Sequence, residues 1–231
     1  LRRPPEIRPK FLTVYFDEVD TAGHEYGPDT TQTTQAAARV DAAIQALLAG
    51  LKDLGQPANL VVVSDHGMAA TSSTRTIALD KLLDPKLYHL VETGTFASIT
   101  PLPGMDAQVE KALLVPHEHM QCWRKADIPA RFHYGSNPRV PPILCLAEPG
   151  WLVLANAPSK PSVGGNHGYD NMVPEMNSLF IATGPAFAAG KVLPDFENVE
   201  VYPLLRQLMG LPVATGVDGN GAVFRGAFSR R

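Results

Sequence analysis

Cysteine is scarce in this chain, charge is modest, and long apolar runs are missing. Only two cysteines, Cys122 and Cys145, occur in 231 residues, too few for a disulfide scaffold or a thiolate metal cluster. Charged residues make up 19%, and 20 Lys and Arg stand against 23 Asp and Glu without clustering, so no basic footprint for a nucleic acid duplex or an anionic membrane is present. Uninterrupted apolar runs reach only a handful of residues, as in Leu60–Val63, whereas a bilayer span needs about 20. The 45% of hydrophobic residues nevertheless suffices for one or two compact domains. Proline, at 21 residues, is abundant and predicts many loops. The chain opens on Leu1, with neither a signal peptide nor a tag behind it.

Phe11–Phe16 (FLTVYF) reads as a buried strand, and Asp17–Pro28 as a polar, glycine-bearing loop. A helix follows, with Ala37, Val40, Ile44, Leu47, Leu48, Leu51 and Leu54 at i+3/i+4 spacing. Thr30, Thr31 or Thr33 caps it, and Gly55 and Pro57 end it. Leu60–Ser64 is a second buried strand, so strand, helix and strand predict a right-handed parallel crossover with both strand ends at one sheet edge. Between about 72 and 160 the pattern changes. Strand-like runs at Tyr88–Val91, Ala97–Thr100, Ile143–Ala147 and Trp151–Ala155, with a helix around Asp106–Leu114, suggest a smaller α+β insertion. Residues 1–71 and 161–231 then form the main α/β domain, which regains a buried strand at Ser178–Thr183 and a helix around Val199–Met209.

Three glycine-containing loops near these strands hold Asp and His together: Asp20 with His24, Asp65 with His66, and His167. Carboxylate oxygen with imidazole nitrogen suits zinc or another borderline divalent ion without any thiolate. Singly, each has a plainer reading, as an Asx turn, a strand-to-turn transition or a surface loop histidine. Five such groups directed to one edge favour a composite site. His117-Glu118-His119, by contrast, reads as a solvated face.

The segments FLTVYFDEVDTAGHEYGP (11–28), VVVSDHGM (61–68), RFHYGSNPRVPPI (131–143), GNHGYDN (165–171) and NVEVYPLLRQLMGL (198–211) resemble the nucleotide pyrophosphatase/phosphodiesterases of the alkaline phosphatase superfamily, in order and separation. The resemblance implies an α/β fold with a mostly parallel sheet flanked by helices, and two zinc ions at its edge. Asp20, His24 and His167 would hold one zinc; Asp65 and His66 would supply part of the other. Tyr15 matches a residue of the pocket for the nucleobase or other leaving-side group, with a core strand tyrosine as its alternative. The implied reaction is hydrolysis of phosphodiester or pyrophosphate bonds in small nucleotide or phosphodiester substrates, releasing nucleoside monophosphates through a covalent Thr or Ser phospho-enzyme. Activity at neutral to alkaline pH is expected, because imidazoles must lose their protons to bind zinc.

Two family features have no counterpart here: the first strand with its metal-binding Asp, and the Thr or Ser nucleophile at a helix N-terminus. Thr71 and Thr74 follow the Asp65-His66 pair instead and read as hydrogen-bonding loop residues, and Val19 replaces a common proline. The expectation is therefore a C-terminal part of a catalytic domain, incomplete at its N-terminus, monomeric, with one nearly complete zinc site and little turnover of its own. The alternatives are a non-catalytic metal-binding remnant or interaction module, and another hydrolase of the superfamily. By resemblance the parent protein is periplasmic or extracellular, which permits a Cys122–Cys145 disulfide, with two separate thiols as the alternative.

Overall fold

The structure, a computed structural model, describes residues 1–229; the last two residues of the expected 161–231 segment lie outside it. Helices α1 (Glu18–Tyr26) and α2 (Thr31–Asp53) come first, followed by strands β1 (Leu60–Val63), β2 (Ala69–Ser72), β3 (Thr76–Ala78), β4 (Tyr88–Glu92) and β5 (Phe96–Pro101). Helix α3 (Asp106–Leu113), strands β6 (Met120–Arg124), β7 (Ile143–Ala147), β8 (Leu152–Leu154), β9 (Val163–Asn166) and β10 (Phe180–Thr183), and helix α4 (Val201–Leu208) complete the order. No helix among the described residues is long and apolar enough to cross a membrane.

The chain divides into two compact units, one of residues 1–16, 39–65 and those from 178 onward, the other of residues 17–38 and 66–177. In the first, β1 pairs antiparallel with β10, Leu60 opposite Thr183. Its core is aromatic: Leu204 of α4 and Phe224 are fully buried, and Phe180 and Phe196 pack against them. In the second, the largest sheet has the order β4-β5-β7-β6, all antiparallel. Its apolar residues Ile99, Ile143 and Cys145 are buried together with Val109 and Leu113 of α3. The continuous apolar run of β7 is buried along nearly its whole length, as expected of a central strand.

Two expectations are corrected. The sheets are small and mostly antiparallel, and β3–β8 is the parallel pair among the described strands. Phe11–Phe16 joins none of these ladders, and all but the half-buried Phe16 are exposed, with Val14 at 63% and Tyr15 at 80%. The expected crossover required this segment and β1 in one sheet. An apolar, β-branched run signals capacity for burial, but a strand exists only where a neighbouring backbone takes its hydrogen bonds.

The third difference concerns Asp17–Pro28, expected as a loop, most of which is helix α1. Its glycine, Gly23, faces Met68, and a Cβ there would stand 2.9 Å from the Met68 Cε. The helix lies against β9, itself read as a loop because of its glycines. A Cβ at Gly164 would be 2.3 Å from the His24 carbonyl oxygen, and one at Gly165 would be 2.5 Å from that of Gly23. Strand β9 in turn pairs antiparallel with β2, Ala69 opposite Asn166. Helix α2 begins where the sequence places it, Thr30 Oγ1 accepting the Thr33 backbone N–H at 3.3 Å, and ends at Gly55 with φ +58°.

Cys122 and Cys145 sit directly opposite each other on β6 and β7 and are joined in a disulfide, 23 residues apart in sequence. Reducing it should lower stability by about 3 kcal/mol through the loop entropy it removes from the unfolded chain. Thermal unfolding with and without dithiothreitol measures this. Gly165→Ala should cost about 1–3 kcal/mol, since its Cβ must displace backbone rather than a flexible side chain. A melting temperature equal to that of the parent chain would show that β9 can retreat from α1.

Candidate metal centre

Helix α1 turns the Asp-x-x-x-His spacing into a shared face, because residues four apart lie one above the other. Asp20 Oδ1 and His24 Nε2 are 3.5 Å apart. The β2–β9 ladder supplies the rest. With Ala69 opposite Asn166, the residues just before β2 and just after β9 leave the ladder at the same end, which sets His66 beside His167. Their rings stack with centroids 3.4 Å apart and planes at 12°. His167 Nε2 is 3.6 Å from Asp20 Oδ1, and the ligand atoms of Asp20, His66 and His167 all lie within 4.8 Å of one another.

Hydrogen bonding fixes how two of the rings present themselves. His24 Nδ1 is 2.9 Å from the Gly165 carbonyl oxygen, and His66 Nδ1 is 2.9 Å from the carbonyl oxygen of Gly67. A carbonyl only accepts, so Nδ1 donates in both rings, and in the neutral imidazole the lone pair is on Nε2. Metal-binding histidines are commonly oriented this way. The Asp20 Oδ1 atom is buried and accepts no hydrogen bond. His24 Nε2 thus stands 3.5 Å from a buried carboxylate oxygen that accepts no hydrogen bond, a place where a cation would be favoured. Tetrahedral zinc with bonds of about 2.0–2.1 Å separates its ligand atoms by about 3.3 Å, close to the spacing here. With both cysteines in the disulfide, the donor set is oxygen and nitrogen only.

The loop carrying His167 is held at several points. Gly168 has φ +92°, and the buried Tyr169 donates its hydroxyl hydrogen to the Trp151 carbonyl at 2.9 Å. Burial pushes the Tyr169 hydroxyl up to about 12, so it remains a donor throughout the neutral and alkaline range. Asp170 accepts a two-pronged hydrogen bond from the Arg131 guanidinium, which holds its carboxyl below the usual carboxylate range.

Of the residues singled out from the sequence, Asp20, His24, His66 and His167 come together within one unit. Asp65 belongs to the other unit, where its carbonyl accepts a hydrogen bond from the Asn198 side chain at 3.2 Å. Tyr15 stands on the exposed extended segment. His117 and His119 go to separate partners, the Leu113 carbonyl for His117 and Glu148 with Trp151 for His119. Thr71 lies in the β2 ladder opposite Gly164, and the Thr74 hydroxyl is 2.9 Å from that of Ser72. Sequence reasoning missed Gly164 and Gly165, which let α1 approach β9; the glycine doublet was the visible signal, but it also fits a loop.

Residues 2–170 match the family model described as Type I phosphodiesterase / nucleotide pyrophosphatase. The bis(5'-adenosyl)-triphosphatase ENPP4 of Bos taurus is 39% identical over 204 residues, covering 87% of this chain and 44% of that protein. The ectonucleotide pyrophosphatase/phosphodiesterase family member 5 of Homo sapiens is 35% identical over 211 residues, covering 90% of this chain and 43% of its own length. The solved structure of human member 5 superposes with a TM-score of 0.85 at 33% identity, covering 91% of this chain and 56% of that one. An inactive variant of the murine member 5 in complex with AMP gives 0.84 at 36% identity, with the same coverage. The chain spans less than half the length of the two curated relatives, ENPP4 of Bos taurus and member 5 of Homo sapiens. With its α/β fold, it belongs to the type I phosphodiesterase/nucleotide pyrophosphatase family of the alkaline phosphatase superfamily.

Proposed function

We propose that the cluster around Asp20 is the zinc-binding edge of an enzyme that hydrolyses phosphodiester or pyrophosphate bonds in nucleotides and releases nucleoside monophosphates. The observation that carries this reading is the buried Asp20 Oδ1, without a hydrogen bond, with His24 Nε2 at 3.5 Å and His167 Nε2 at 3.6 Å. Asp20, His24 and His167 would hold one zinc, and Asp65 with His66 part of a second. Two zinc ions, when bound, supply Lewis acidity toward the phosphoryl and leaving oxygens and make a hydroxyl or water nucleophilic near neutral pH.

The chain's own residues prepare that site. Gly165 and Gly67 hold Nδ1 of His24 and His66 as donors, so both rings are committed to one tautomer before any ligand arrives. Asp20 contributes the negative charge that offsets the cations. Tyr15 is assigned to the nucleobase or leaving-side group. AMP in the murine relative supports a nucleoside monophosphate as the product class. In the reaction, a Thr or Ser oxygen attacks phosphorus, the bond to the leaving oxygen breaks, and water then releases the nucleoside monophosphate from the ester. No residue of this chain is assigned as that nucleophile. The four-stranded sheet and α3, both within 72–160, support reading that stretch as an insertion between 1–71 and 161–231. Export to the periplasm or cell exterior is supported by the Cys122–Cys145 disulfide and by relatives named as ectonucleotide enzymes.

Zinc titration against a chromophoric chelator, with metal content by atomic emission, should give one firmly held zinc per chain. Asp20→Asn and His24→Ala should each weaken it at least tenfold. Affinity should fall as pH is lowered, because each imidazole must release a proton to bind metal. Hydrolysis of a nitrophenyl nucleotide ester by the purified 231-residue chain should be slight, and robust turnover would overturn the assignment of the nucleophile elsewhere.

A further inference from the structure

Arg131 and Asp170 are 39 residues apart in sequence; Asp170 lies three residues after His167, whereas Arg131 is far in sequence from every residue of the cluster. Asp170 ends the short segment His167-Gly168-Tyr169-Asp170. Its Oδ1 accepts the Met172 backbone N–H at 2.9 Å and one Arg131 N–H at 2.7 Å, and its Oδ2 accepts a second Arg131 N–H. Its carbonyl also accepts the Val173 N–H at 3.2 Å. The guanidinium stands 4.1 Å from the centroid of the adjoining Phe132 ring, which meets Trp123 edge-on, next in sequence to the disulfide-bonded Cys122. On the other side of the same segment, the His167 N–H donates to Asn166 Oδ1, and Asn166 is in the β9 ladder. The turn between these anchors contains Gly168 at positive φ, a residue with little conformational preference of its own.

From this we infer that the Arg131–Asp170 fork is a positioning device for His167, setting the direction in which its ring meets Asp20. The inference rests on reading His167 as a zinc ligand. Tyr169 fixes the height of the loop by its buried ring, but a single hydroxyl contact leaves rotation about Gly168. A planar guanidinium bonded to both carboxylate oxygens removes that rotation, which a point charge does not. Arg131 is thus a positioning residue that touches no metal.

The fork is partly exposed, with side-chain exposures of 48% and 25%, so as an ion pair alone it would add little to stability. A second exposed fork in the same unit supplies the comparison: Arg124 bonds both oxygens of Glu110, at 2.7 and 2.6 Å, between β6 and α3.

The test measures zinc affinity by chelator competition, and melting temperature in chelator, for the full chain and four variants. Arg131→Met and Arg131→Lys should weaken zinc binding about tenfold, as loss of supporting groups around metal-binding histidines does. Lysine fails to rescue because it keeps the charge and loses the fork. Arg124→Met should leave affinity unchanged while shifting the metal-free melting temperature as much as Arg131→Met does. Equal affinities for the Arg131 and Arg124 variants would overturn the positioning role, as would full rescue by lysine. His167→Ala is the control for the underlying reading: if it binds zinc as the parent chain does, the zinc assignment itself fails, whatever Arg131 does. Should Arg131→Met not fold, Arg131→Lys against Arg124→Met decides the question by itself.

Discussion

The close passage of β9 under α1 is the contact on which the rest of the site depends. Helical and extended backbones rarely come so near, because side chains on either one hold them apart. Gly164 and Gly165 remove those side chains where the carbonyls of Gly23 and His24 approach. The same approach lets the Gly165 carbonyl reach Nδ1 of His24, so one steric concession both seats the helix and sets the ring that faces Asp20. A strand with any Cβ at these positions would move the helix outward and separate the carboxylate from His167.

Around that contact the chain spends polar groups in a particular way. Backbone carbonyls take the Nδ1 protons of His24 and His66, while the oxygen that could have accepted from a ring, Asp20 Oδ1, is left buried and unsatisfied. On the proposed reading, a divalent cation between Asp20 and the neighbouring imidazoles would supply the charge this oxygen lacks, and its binding would be coupled to the integrity of the surrounding elements. The ionised Asp170 and the neutral Tyr169 work differently: both have their partners, and both hold a loop whose glycine would otherwise leave it loose.

Much of the fold was legible in the sequence. Helix α2, strands β4, β5 and β7, helix α3 and helix α4 fall where periodicity and capping residues place them, since each is long or strongly patterned. Strand β2 was hidden by its short run of small residues, and β9 by its glycines. Helix α1 was hidden by a glycine and by a polar composition that suits a loop equally well. The convergence of Asp20, His66 and His167 was anticipated, but the route was different. An antiparallel β2–β9 ladder and a helix across it do what a parallel crossover was expected to do.

By itself the sequence showed the residue types available: Asp and His grouped near glycines, only two cysteines, and a pattern specific enough to mark the family. Residue type sets ligand chemistry, and type is read directly from the chain. Tertiary structure alone decided which partners meet. Phe11–Phe16 carries every mark of a strand yet takes no ladder partner, whereas the glycines of β9 do. Cys122 and Cys145 became a pair because antiparallel register sets them opposite each other. Arg131 reached Asp170 from 39 residues away. Each of these depends on the position of a second segment of backbone, which local composition does not encode.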